Sequence, residues 1–187
     1  AGNLALMNEK NIELSTFSAY SDKLANEGKT PLYFADHEKV IGIIAVADVV
    51  KENSKKAIEL FKSMGIDVVM LTGDNKRTAE AIRRELNIDR VVAEVLPQDK
   101  EKEIREIQAT GKKVAMIGDG INDAPALTRA DVGVAIGAGT DIAIESADIV
   151  LMKSDLLDAV TAVQLSRATI KNIKENLFWA FFYNILG

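Results

Sequence analysis

Cysteine is missing from all 187 residues. Its absence excludes a disulfide framework, a thiolate metal site and a cysteine nucleophile within them. Histidine occurs once, as His37 in the polar turn Asp36-His37-Glu38-Lys39, where it reads as a solvated loop residue, and no site is built on it. An excess of basic charge is also missing: 23 Lys and Arg stand against 28 Asp and Glu, for a formal charge of -5. That balance excludes a nucleic-acid binder, because a phosphate backbone needs a basic face. No internal repeat or low-complexity tract occurs, and 48% hydrophobic with 27% charged residues is globular rather than disordered. A start methionine is lacking at Ala1, and Ile185-Leu186-Gly187 stop inside an apolar run, so the expectation is a piece of a longer protein.

What is present centres on Val114 to Leu127. Four apolar residues, Val114 to Ile117, are short enough for a buried strand, and Gly118-Asp119-Gly120 ends it with two residues able to take φ > 0. Asn122 or Asp123 can then cap a helix whose first turn holds Pro125. Asp119 and Asp123 are thereby expected beside free backbone N–H groups at a helix start, an arrangement suited to a hard cation bridged to a phosphate. Gly-Asp-Gly is also an ordinary turn; the second carboxylate, the intervening Asn122 and the place at a strand's carboxyl end favour a site.

Earlier in the chain, a helix is expected over Thr16 to Asn26, ended by Gly28, and then two strand runs, Pro31 to Ala35 and Val40 to Val46, as a hairpin. From Asp48 helices and strands alternate. Strands are expected at Val68 to Leu71, Arg90 to Ala93, Val114 to Ile117, Val132 to Ile136 and Ile149 to Leu151, with helices between them. That alternation predicts an α/β fold, a doubly wound parallel sheet covered on both faces. Ser154 is expected to cap a long last helix. Basic residues at Arg167, Lys171 and Lys174 precede an aromatic, apolar run from Leu177, which reads as the start of a membrane-entering helix, about half the length a span needs. A core helix or a partner-binding helix is the plainer alternative.

Three strand ends carry chemistry. Thr72 and Gly73 can hold phosphoryl oxygens through a hydroxyl and a backbone N–H, Lys100 can neutralise a transferring phosphoryl group, and Asp119 with Asp123 can bind Mg²⁺. Singly, Thr72-Gly73-Asp74 is also a turn with a helix cap, and Pro97-Gln98-Asp99-Lys100 a helix start; in this order they are far more specific.

These motifs resemble those of the haloacid-dehalogenase-like phosphotransferases. Gly118-Asp119-Gly120-Ile121-Asn122-Asp123-Ala124-Pro125-Ala126-Leu127 with Thr72-Gly73-Asp74 and Lys100 is similar to the P-type cation-transporting ATPases. The resemblance implies three parts: residues 1–46, the end of an α+β nucleotide-binding domain; 47–165, a phosphorylation domain, re-entered at Asp48; and 166–187, a stalk helix entering the membrane. It implies Gly2 and Asn3 at bound ATP, and Thr72, Gly73, Asp74 and Lys100 at nucleotide or phosphoryl group. Asp119 and Asp123 would serve Mg²⁺, with Asn122 completing the loop. Ala180-Phe181-Phe182-Tyr183-Asn184 resembles the copper(I)-pump helix in which Tyr183 and Asn184 would face the ion. The implied parent is a multi-pass membrane protein that uses ATP to phosphorylate an aspartate and moves copper(I), with residues 1 to about 175 on the cytoplasmic side. Zinc or another heavy metal, or a soluble Mg²⁺-dependent phosphatase, are the neighbouring readings. The family's Asp-Lys-Thr-Gly-Thr is absent: Asp22-Lys23 continues as Leu-Ala, and Asp99-Lys100 as Glu-Lys. The nucleophile and its strand are therefore expected from the missing N-terminal part of the same polypeptide, and these residues alone are expected to be inactive.

Overall fold

The computed structural model describes residues 1–14, 16–46, 50–119, 121–137 and 141–186. Asp48, the expected re-entry point, lies outside the described residues, as do Gly120 and the loop residues 138–140. The first unit is a hairpin backed by two helices, α1 (Leu4–Glu9) and α2 (Phe17–Asn26), with β1 (Thr30–Ala35) antiparallel to β2 (Val40–Val46). Helix α1 has no strong periodicity to announce it; it exists because Asn3 Oδ1 accepts the Leu6 amide at 3.0 Å, satisfying one free donor of the first turn. Gly2 exchanges both backbone hydrogen bonds with Tyr33, at 3.0 and 2.8 Å, along the free edge of β1. Met7, Tyr33 and Val40, each 2% exposed, form the core of this unit.

The second unit alternates. It runs through α3 (Glu52–Ser63), β3 (Val69–Leu71), α4 (Lys76–Leu86) and β4 (Arg90–Val92), then a 3-10 turn at Pro97–Asp99 leading into α5 (Lys100–Ala109). It continues with β5 (Ala115–Gly118), a second 3-10 turn at Ile121–Asp123, α6 (Ala124–Arg129), β6 (Val132–Ile136), α7 (Asp141–Glu145) and β7 (Ile149–Leu151). All its strand pairs are parallel, as the alternation predicts. One difference from the expected continuous sheet stands out. β3 pairs with β4, and β5 with β6 and β7, but among the described residues β3 and β5 do not pair with each other. The two pieces share a core nonetheless: Val68, just before β3, and Ile117 of β5 both pack on the cluster of Ala57, Phe61, Ala159 and Val160.

The last helix, α8 (Leu156–Leu186), is capped by Asp155 rather than Ser154: the Asp155 carboxylate accepts the Leu157 amide at 2.9 Å. Ser154 is otherwise engaged, its carbonyl 3.1 Å from Lys51 Nζ. α8 runs parallel to α3 in constant register, with Asn53 donating to Asp155 at 2.8 Å at one end and Arg167 donating to the Met64 carbonyl at 3.1 Å at the other. Arg167 thus meets the electronegative end of α3. The expected boundary at 165/166 falls inside α8, close to this last tie. Residues 164–185 are exposed throughout. Among the described residues, the rings of Phe178, Trp179 and Phe182 pack against one another, Phe178 stacked on Phe182 and Trp179 edge-on to both. No helix among the described residues is long and apolar enough to cross a membrane.

Candidate active site

β5 delivers the central loop. Gly118 is its last residue, and its φ is not positive, so the glycine is there for a steric reason instead of a left-handed turn. A Cβ at Gly118 would lie 2.7 Å from the Asp123 carboxylate; the missing side chain is what lets Asp123 fold back against the strand. Asp123 stands at the N-cap position of α6, yet its carboxylate makes no capping hydrogen bond. It accepts instead from Lys100 Nζ at 2.7 Å. Both side chains are largely shielded, at 17% for Lys100 and 11% for Asp123, so the pair is a built feature and not a passing surface contact. Asp119 and Asn122 are exposed beside it.

Lys100 reaches this place through a backbone device that the sequence does not announce. After β4, Glu94 takes φ 59°, a left-handed conformation in a residue that is not glycine. The turn lets Glu94 donate its amide to the Asp74 carbonyl at 2.9 Å and Val95 to the Thr72 carbonyl at 3.0 Å. The stretch leading to Pro97–Lys100 is thereby strapped to the Thr72-Gly73-Asp74 loop. Within that loop Thr72 Oγ1 donates to Asp74 Oδ2 at 2.9 Å and accepts the Asp74 amide at 3.1 Å. Asn75 then caps α4, accepting from Arg77 and Thr78 amides. A Cβ built on Gly73 finds its nearest neighbour, the Val95 carbonyl, at 3.6 Å, so packing alone does not demand this glycine.

The structure therefore joins Lys100 to Asp123 directly and ties Thr72 and Asp74 to the chain that carries Lys100. The other expected site residues lie apart. Gly2 and Asn3 are engaged in the hairpin unit, with Tyr33 and Leu6, and among the described residues no hydrogen bond links them to the Thr72 or Asp119 loops. Tyr183 and Asn184 sit near the far end of α8; Tyr183 is 78% exposed, and the Asn184 amide donates to the Ala180 carbonyl at 2.7 Å. As neighbours on a helix they point about 100° apart.

The donor set around Asp119 bears on Mg²⁺ binding. No cluster of three or more His, Cys, Asp or Glu placed to hold a metal occurs among the described residues. Mg²⁺ nevertheless needs only one or two carboxylates when phosphate oxygens and waters complete its shell. Exposed Asp119 with Asp123 beside it fits that mode of binding.

Comparison with known proteins adds the context. The family described as haloacid dehalogenase-like hydrolase matches residues 1–131. Copper-transporting ATPase 1 of Rhizobium meliloti (strain 1021) is 56% identical over 174 residues, 93% of this chain and 21% of that protein. A copper-exporting P-type ATPase of Bacillus subtilis (strain 168) is 50% identical over 186 residues, 100% of this chain and 23% of that protein. A crystal structure of a zinc-transporting PIB-type ATPase in the E2.Pi state superposes with a TM-score of 0.73 and 38% identity, covering 88% of this chain and 27% of that one. The chain thus spans roughly a fifth to a quarter of the length of these curated relatives.

Proposed function

The chain belongs to the haloacid dehalogenase-like hydrolase family, and from that premise we propose that it handles the phosphoryl group in an ATP-driven copper(I) transporter, a P-type ATPase. The observation that carries the reading is the shielded Lys100–Asp123 pair beside exposed Asp119, at the carboxyl end of β5. A lysine held there by a carboxylate is oriented in advance toward a phosphoryl oxygen, which is how positioned charge lowers the barrier to phosphoryl transfer. The Gly73 backbone amide holds a further phosphoryl oxygen, and Thr72 holds another by turning its one hydroxyl proton from Asp74 to the phosphate, while the Asp74 amide keeps the Thr72 oxygen in place. Asn122 completes the loop. Asp119, with Asp123 beside it, would hold Mg²⁺, which would supply neutralisation of the developing charge. Gly2 and Asn3 face the nucleotide, Asn3 through the amide group that α1 does not use.

The aspartate that receives the phosphoryl group comes from a preceding part of the same polypeptide, on a strand seated between β3 and β5. Residues 1 to about 175 lie on the cytoplasmic side, and the uncharged Asn176–Leu186 after Lys171 and Lys174 leads toward the bilayer. Tyr183 and Asn184 contribute to the copper(I) path, completed by thiolates from elsewhere, since soft Cu(I) favours sulfur. Zinc as the transported ion is the second reading, favoured by the 38% identity to the solved zinc transporter.

The test is ATPase turnover of the full-length protein in detergent with Cu(I) or Zn²⁺, beside Asp119→Ala. Copper-stimulated turnover that falls by about a hundredfold or more in the variant is expected, the size seen when a charge-stabilising group is removed. Stimulation by zinc alone would reassign the ion, turnover indifferent to both would point to the soluble phosphatase, and an undiminished variant would remove Asp119 from the mechanism.

A further inference from the structure

Three polar contacts cross between residues 22–30 of the hairpin unit and residues 74–78 of the phosphoryl unit. Thr30 Oγ1 donates to Asp74 Oδ1 at 3.3 Å, Thr78 Oγ1 donates to the Lys29 carbonyl at 3.1 Å, and Arg77 pairs with Asp22. Thr78 is 2% exposed, and its hydroxyl also accepts from Asn75 Nδ2 at 2.9 Å, so this buried hydroxyl both donates to and accepts from protein, while the Arg77–Asp22 pair lies at the exposed rim.

Asp74 is the shared post of this seam. One carboxylate oxygen serves its own loop through Thr72, and the other reaches across to Thr30. Thr30 in turn pairs with Val46, the last described residue before 47–49, where the chain passes from one unit to the other. The hydroxyl contact therefore sits beside the last described residue of the hairpin unit. A hydroxyl–carboxylate contact at 3.3 Å is long and easily parted, which suits a contact that registers one arrangement of two units without locking it.

We infer that Thr30 is a positioning residue for phosphoryl transfer: through Asp74 it aligns the hairpin unit, and any nucleotide that unit carries, with the loop that holds the phosphoryl group. The inference rests on the function proposed above. Delivery of phosphate from ATP needs that alignment, because the nucleotide spans both units. Phosphorylation from inorganic phosphate does not, because the Asp74 amide keeps the Thr72 oxygen in place without Thr30.

Thr30→Val, isosteric and suited to a strand, tests this in the full-length protein. Phosphoenzyme formation from ATP is expected to slow about threefold, as for loss of one weak hydrogen bond, while formation from inorganic phosphate holds. Thr30→Ser is expected to restore the ATP route. Hydrogen exchange of the same proteins is expected to show faster amides over residues 73–78 in Thr30→Val. Equal slowing of both routes, slowing of neither, failure of the serine to rescue, or unchanged exchange would each overturn the inference. A wild-type protein that forms no phosphoenzyme would count against the function itself, and the exchange comparison would still decide the contact.

Discussion

Gly118 and Gly73 stand at the ends of neighbouring loops and carry opposite expectations. At Gly118 an added methyl meets the Asp123 carboxylate at 2.7 Å, so Gly118→Ala displaces Asp123 and strains β5. A loss of about 1–3 kcal/mol, read from the denaturant midpoint, is expected from that overpacking. At Gly73 the nearest atom is 3.6 Å away and φ is not positive, so Gly73→Ala is expected to leave stability within about 0.5 kcal/mol. If the open side of Gly73 is where a phosphoryl group approaches, that variant slows phosphoenzyme formation all the same; an alanine that costs neither stability nor activity would take Gly73 out of the site. Lys100→Met leaves the shielded Asp123 carboxylate alone, at a cost of about 3 kcal/mol. A titration prediction belongs at Glu80. Arg83 grips it in a two-bonded fork, at 2.7 and 2.8 Å, with Arg84 at 3.0 Å, and these hydrogen bonds hold its carboxyl down to about 2 from an ordinary 4.5. A depressed folded-state value stabilises above the unfolded value and is lost as pH falls. The stability gap between wild type and Glu80→Gln is therefore expected to be full above about 4.5 and to close as pH falls toward 2, narrowing further with salt because the group is partly exposed.

Among the elements, the facing edges of β3 and β5 make the sharpest demand. A parallel sheet buries its backbone donors in pairs, and here two edges share one core without sharing hydrogen bonds. On the proposal that a nucleophile-bearing strand fills that space, the amides of β3 and β5 on those edges are expected to exchange slowly in the full-length protein and fast in the 187-residue chain; equal rates would leave the space between them empty in both. The elements most legible in the sequence are those whose local chemistry agrees with their packing. Gly65 closes α3 with φ 74°, and the apolar runs of β3, β5 and β6 fall close to where hydrophobic patterning puts them. Helix α1 escapes because six residues show little periodicity and a single Asn cap decides it. The cap of α8 shifts by one residue because Ser154 has a competing partner in Lys51, which no local pattern reveals.

Across the whole molecule, the acidic and glycine-bearing loops could be read as a site because strand ends collect on one edge of an α/β sheet. How Lys100 arrives could not. Its approach depends on the left-handed Glu94, and nothing in the identity of a glutamate signals that conformation. The Asp74–Thr30 contact was equally hidden, since it joins residues 44 positions apart in two units. One further property follows from the parallel register of α3 and α8. Beyond Arg167 no hydrogen bond or ion pair among the described residues ties α8 to another element, and its remaining 19 residues, exposed as far as 185, reach about 28 Å at 1.5 Å per residue. The helix is thus a lever whose fulcrum is α3. A tilt of the second unit by about 10° would swing the aromatic tip by about 5 Å, roughly one helical turn.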